Sequence, residues 1–236
     1  MKATLALTAW VLAPVAWAQE PPSTVFWLGG RIGAEVPVGT FSGGPAWPRM
    51  LGTGASFETD LGYRLDRCNV LYALGGFTAF GAGSGSAPFD FETSNGTTTA
   101  VFAPPSGGTA WSAGAGLQAM LGRRRLRFVG DLAVAYRRLT ARWEEGSALH
   151  LDAFFDLRVA AGADLRFSDS FSVSLLASVT LPTLRADGML LLSDGTGQPA
   201  PPMSQMPYLL GVTLGVHFDL PRGRDCGPCF LRAQDQ

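Results

Sequence analysis

Residues 150–167 read HLDAFFDLRVAAGADLRF, and their two-residue period decides what kind of chain this is. The odd positions are Leu151, Ala153, Phe155, Leu157, Val159, Ala161, Ala163, Leu165 and Phe167, while the even ones include Asp152, Asp156, Arg158, Asp164 and Arg166. Successive side chains of an extended chain point to opposite faces. The stretch therefore reads as a strand with one greasy and one charged side, and a slip of one residue would turn Asp156 and Arg158 to the greasy side.

Working outward, seven more segments repeat the scheme. Residues 25–38 set Phe26, Leu28, Ile32, Ala34 and Val36 against Arg31 and Glu35. Residues 51–65 set Leu51, Ala55, Phe57, Leu61 and Tyr63 against Ser56, Glu58, Asp60 and Arg64. The apolar parity continues through Leu126, Phe128, Leu132, Val134 and Tyr136, through Phe171 to Leu181, and through Tyr208 to Phe218. Residues 111–121 keep it in a Gly- and Ala-rich form, and residues 70–80 show it least clearly.

Composition narrows the class. Charged residues make up 16% of the chain, against roughly 25% in a soluble domain, and Lys2 is the only lysine. Such a chain has little water-facing surface to decorate. A formal net charge of -1 excludes the basic footprint of a nucleic-acid binder. Residues 1–18 carry Lys2, an apolar stretch from Ala3 to Ala16, and Ala16 and Ala18 around Trp17, which is the pattern of a cleaved secretory signal. The remaining sequence contains no apolar run of the ~20 residues that a membrane-spanning helix needs, so a membrane reading requires strands.

A soluble ligand-binding barrel would alternate equally well, with its greasy face inside. Three features favour the greasy face outside. The polar parity is rich in Gly and Ser, as in Ser170, Ser172, Ser174 and Ser178, which suits a crowded interior. Connections alternate between tight turns and the longer stretches 39–50, 82–108, 140–147 and 182–205, as short periplasmic turns alternate with extracellular loops in membrane barrels. Aromatic residues of the apolar parity also gather at strand ends: Phe26, Tyr63, Tyr72, Phe128, Phe167, Phe171 and Phe218 at one rim, and Trp111, Tyr136, Tyr208 and Phe80 at the other. Backbone groups in lipid need partners, so the strands must close on themselves.

With eight such segments, alternating loop lengths and two aromatic rims, residues 19–220 resemble the small outer-membrane barrels of the OmpA and OmpX type. The resemblance is architectural and carries no diagnostic motif. It implies an all-β, up-and-down antiparallel transmembrane barrel in the outer membrane of a Gram-negative-type bacterium, monomeric and surrounded by outer-membrane lipid, with residues 221–236 as a short periplasmic tail. The polar parity would gather Arg31, Glu35, Glu58, Asp60, Arg64, Arg127, Asp131, Arg137, Asp152, Asp156 and Arg158 into a mutually neutralising lumen network, since eight strands enclose a space that side chains about fill.

No catalytic, cofactor or metal set is assigned. His150 and His217 are expected at opposite rims, too far apart to share a metal or a proton, and Ser147, Glu144 and Glu145 beside His150 are read as a polar turn rather than an acyl-transfer site. Cys226, Gly227, Pro228 and Cys229 have redox spacing in a polar tail without the strand-to-helix setting that activates a thiol. A disulfide of Cys226 with Cys229, or of either with Cys68, is the expectation in an oxidising compartment. Arg123, Arg124 and Arg125 make a basic periplasmic turn. The loops 82–108 and 182–205, rich in Gly, Pro, Ser and Thr, are expected to lack a fixed fold and to be where an extracellular ligand would bind. The chain thus reads as a structural or surface-interaction protein, with a lipid-modifying enzyme and a small-molecule channel as alternatives. Membrane fractionation followed by heated and unheated gel samples is expected to recover the chain with membranes and to show a heat-dependent shift in mobility; recovery in the soluble periplasm reverses the reading.

Overall fold

All eight alternating segments form strands in the computed structural model, which describes residues 26–40, 46–66, 68–93, 96–123, 125–168, 170–182, 186–193, 195–199 and 207–220. The wall consists of β1 (Phe26–Val38), β2 (Leu51–Arg64), β3 (Asn69–Ala82), β6 (Gly107–Arg123), β7 (Leu126–Arg142), β8 (Ala148–Ser168), β9 (Phe171–Pro182) and β12 (Tyr208–Leu220). Each pairs antiparallel with the next, and β12 returns to pair with β1, so the sheet is closed. The expected leader 1–18 and tail 221–236 lie outside the described residues.

The pairings fix the dimensions of the barrel. Followed once round the wall they run from Phe26 through Tyr63, Leu71, Leu117, Leu132, Val159, Val179 and Leu210 and come back to β1 at Val36, a stagger of ten residues. A stagger of this size over eight strands tilts them by about 40° and leaves an interior that side chains fill.

The outward face is apolar. Leu28, Ile32, Phe57, Leu61, Leu71, Phe77, Leu175, Val212 and Leu214 are all exposed, and the charged side chains Arg138, Arg142 and Asp152 of that face stand together near one end. Water would not be tolerated over so continuous an apolar band. Aromatic residues mark its edges: Phe26 packs on Tyr63 and Phe171 on Phe167 and Phe218 at the short-turn end, while Trp111, Tyr136 and Phe154 stack in a row at the long-loop end.

Six residues stand on the face opposite to the expected one, three of them for one reason. Between Ala135 and Arg137 of β7 the register with β8 shifts, so that Phe154 and Phe155 together stand opposite Tyr136. This β-bulge, with Phe155 at φ 62°, turns both phenylalanines outward. Beyond it the parity of β8 is reversed: Leu149, Leu151 and Ala153 face in and are fully buried, and Asp152 faces out. A second shift between Leu51 and Gly54 turns Leu51 inward in the same way. Tyr72 and Phe80, expected on the rims, are instead buried inside.

The long loops are more ordered than their composition suggests. Within 82–108 the strands β4 (Ala87–Thr93) and β5 (Gly96–Phe102) form a hairpin separate from the wall. Within 182–205, β10 (Ala186–Leu191) carries on along β8 where β9 stops, and β11 (Gly197–Pro199) folds back on it. A helical turn, Trp47–Met50, lies in the first long loop. Introducing a charge at mid-wall should cost heavily: Ile32→Arg is expected to lower unfolding stability in lipid vesicles by about 2–4 kcal/mol, whereas Val101→Arg, at an exposed position of β5, should change it little, as measured by denaturant titration.

Candidate functional site

The interior has three levels, set by which inward residues each pair of strands supplies. At the middle, Arg31 of β1 reaches Glu58 and Asp60 of β2 and Asp131 of β7, each at 3.2 Å. Arg158 of β8 pairs with Glu58 and lies 3.4 Å from Asp131, and its Nη2 donates to Tyr72 Oη at 3.0 Å. Tyr72 Oη donates in turn to Asp131 Oδ1 at 2.7 Å. The ring fits because β6 offers Gly116 opposite it, where a Cβ would lie 2.5 Å from the phenol. Gly29 likewise leaves room for the Asp60 carboxylate.

Toward the short turns, Arg64 binds Asp219 at 2.6 Å, Arg127 holds Asp164 through Nε at 2.9 Å, and Arg166 approaches Asp219. His217 stacks on Trp27 with ring centroids 4.4 Å apart, its Nδ1 3.7 Å from Asp164. Toward the loops, Arg137 pairs with Asp156 at 2.6 Å and donates to the Pro207 carbonyl, while Thr78 donates to Glu35 at 2.9 Å. Among the described residues the inward set is therefore six arginines against seven carboxylates.

Of the predicted lumen residues, the structure brings together Arg31, Glu35, Glu58, Asp60, Arg64, Arg127, Asp131, Arg137, Asp156 and Arg158. It removes Asp152, because the bulge puts that residue on the outside, where Arg138 Nε and Nη2 donate to it at 2.6 and 2.9 Å and Tyr136 Oη at 2.5 Å. This pair stands beyond the aromatic row, outside the bilayer, and the Arg138 guanidinium holds the Asp152 carboxyl below the usual carboxylate range. Asp164, Arg166 and Asp219 join the network without having been assigned to it. The first two share the parity of Asp156, so the signal was present.

Above the charges lies a third level that no polar pattern announces. Trp47, Met50, Leu51, Phe80, Leu139, Trp143, Leu149, Leu151, Leu190 and Leu209 pack into one buried apolar cluster at the long-loop end. Trp143 Nε1 donates to the Ala103 carbonyl at 2.6 Å, tying the β7–β8 turn to the segment after the hairpin. Among the described residues, cavities of about 30 and 50 Å³ lie beside the ion pairs, the first lined by Arg31, Glu35, Glu58, Thr78 and Arg158, the second by Glu35, Arg137, Asp156 and Arg158 and reaching Ala110 and Leu209 of the cap. Each has room for a water molecule or two.

The other candidates separate as expected. His150 and His217 lie at opposite ends. His150 is on the outward face, its Nδ1 3.0 Å from Thr140 Oγ1, while Ser147 is buried in the turn and Glu144 and Glu145 are exposed. Cys68 is buried and disulfide-bonded, and Cys226 and Cys229 lie outside the described residues. Arg124 also lies outside them. No group of three or more His, Cys, Asp or Glu among the described residues is placed to hold a metal.

Removing one partner from a buried ion-pair network strands the others. Arg31→Met is expected to destabilise the barrel by about 3–5 kcal/mol, and Asp152→Asn, on the solvent side, by less than about 1 kcal/mol; equilibrium unfolding of the two variants reads the difference.

No protein-family model and no curated protein matches the sequence. Solved structures do resemble it. The outer membrane protein OprG from Pseudomonas aeruginosa superposes with a TM-score of 0.50 at 11% identity, over 85% of this chain and 99% of that one. A major outer membrane protein from Thermus thermophilus gives 0.49 at 10% identity over 84% and 99%, and Neisserial surface protein A gives 0.48 at 11% over 82% and 96%. At such identities the likeness concerns the fold. With the closed wall, the apolar exterior and the aromatic rims, the likeness to OprG makes this chain, by fold, a small eight-stranded outer-membrane β-barrel.

Proposed function

We propose that the protein is a non-enzymatic, non-conducting monomeric barrel whose role is structural or one of surface interaction, exerted from its extracellular end. The carrying observation is the filled interior. Arg31 and Arg158 cross-link β1, β2, β7 and β8 at mid-height, and the apolar cap closes the end above them. An ion crossing this path would have to displace buried, mutually paired charges, which leaves any displaced partner unpaired in a low-dielectric interior.

The surface role rests on what projects instead. The β4–β5 hairpin and the β10–β11 pair stand at the long-loop end on a rigid wall, the arrangement in which binding residues are usually displayed. An enzyme acting on envelope lipid would need a nucleophile beside a base, and the His150 Nδ1 faces a threonine on the neighbouring strand while Ser147 is buried. The folded protein reconstituted in planar bilayers should give no resolved conductance steps; reproducible single-channel openings would replace this reading with that of a conduit.

A further inference from the structure

We infer that the lumen holds one monovalent metal cation, an alkali ion such as sodium, against the Glu35 carboxylate.

Among the described residues, the interior charges balance everywhere but at the loop end. At mid-height Arg31 and Arg158 face three carboxylates, while toward the short turns Arg64, Arg127 and Arg166 face two. His217 lies beside both Asp60 and Asp164 and joins these two levels, so their opposite excesses offset each other. Toward the loops Arg137 alone meets Asp156 and Glu35. It is committed to Asp156 at 2.6 Å and to the Pro207 carbonyl at 3.1 Å. Glu35 makes no ion pair among the described residues, and the Thr78 hydroxyl donates to it at 2.9 Å. A carboxylate withdrawn from bulk water without a counter-charge is strongly disfavoured.

Space and oxygen donors are present at that carboxylate. Glu35 lines both cavities, of about 30 and 50 Å³, and Thr78 and Ser112 are common to the two. Ser56 and Ser178 join it in the first, and among the described residues the Ser56 Oγ is buried without a hydrogen-bond partner. Gly211 of β12 stands opposite Glu35. A Cβ there would lie 2.6 Å from Ser178 Oγ and 3.5 Å from Glu35 Cγ, so the glycine keeps hydroxyl and carboxylate beside one opening. Such a volume takes a small ion with a water or two and is too small for an organic ammonium.

Carboxylate and hydroxyl oxygens suit hard cations. A divalent ion would overshoot the single excess charge, and no group of three His, Cys, Asp or Glu among the described residues is placed to hold one. The arginines that share the cavities are already paired, Arg158 with Glu58 and Asp131 and Arg137 with Asp156. Those pairs close the bore below the site and the apolar cap closes it above. The ion is therefore a counter-charge taken up as the barrel closes, and it does not traverse the lumen.

The test refolds the full chain in detergent at pH 8, in sodium chloride or in N-methylglucamine chloride of equal ionic strength, and titrates each with urea. For the wild type, each tenfold rise in sodium above its Kd should raise the unfolding midpoint by about 0.5 M urea, with no such rise in N-methylglucamine. Glu35→Gln should unfold at the same midpoint in both salts, and in N-methylglucamine it should outlast the wild type because the lone charge is gone. Thr78→Val keeps the carboxylate and removes the hydroxyl that touches it, and should diminish the sodium shift. Equal wild-type midpoints in the two salts overturn the site and are the result expected if Glu35 carries a proton instead. A sodium shift that persists in Glu35→Gln overturns the assignment to Glu35. If that variant does not fold, Thr78→Val decides in its place, an undiminished shift counting against the site.

Discussion

Inside a bilayer no water is available to a peptide group, so each backbone N–H and C=O must find its partner in the protein. A sheet satisfies this only if it has no edge, and the return of β12 onto β1 removes the edge. The remaining dimensions follow from that closure. Eight strands staggered by ten residues have one tilt and one bore, and the bore determines how much side-chain volume can sit inside. The glycines opposite Tyr72 and Asp60 are the local adjustments that let large groups fit within a radius the wall has already set.

The interior charges answer to a second constraint. A guanidinium removed from water loses several kcal/mol of solvation unless carboxylates replace the lost contacts. Here each buried arginine is met by acids from other strands, often from strands that are distant in sequence, as with Arg31 and Asp131 or Arg64 and Asp219. Such links fix which strands face each other across the bore, something that nearest-neighbour backbone pairing does not do. Apolar side chains such as Leu74, Met120, Val129 and Leu176 pack between these charges and fill space without specifying partners.

Much of this was legible in the sequence because period two has a strong physical cause: the lipid face admits no charge, so Asp156, Arg158 and Arg31 declare the register of their strands. What escaped reading was whatever breaks or ignores that period. A β-bulge adds one residue without altering composition, and since Leu149, Leu151 and Ala153 are apolar on either face, nothing in them reports that the parity has flipped. Asp152 was the one clue, misread because a charge outside the bilayer looks like a charge in the lumen. Tyr72 was ambiguous for another reason: an aromatic ring with a polar handle suits a rim or a polar interior equally. The β4–β5 hairpin had its own signal, Asn95–Gly96 between alternating segments, of the kind that favours two-residue turns, but the surrounding Gly, Pro and Ser outweighed it.

The buried cluster around Trp47 and Leu190 gives the molecule two regions with different thermodynamics. The wall is solvated by acyl chains and gains nothing from water release, whereas the cluster packs inside the long-loop end of the barrel, where apolar side chains are withdrawn from water. Its cohesion carries the heat-capacity signature of apolar hydration, weakening on cooling and in urea. The extracellular portion can therefore loosen with temperature on its own curve while the lipid-embedded cylinder beneath it keeps its shape.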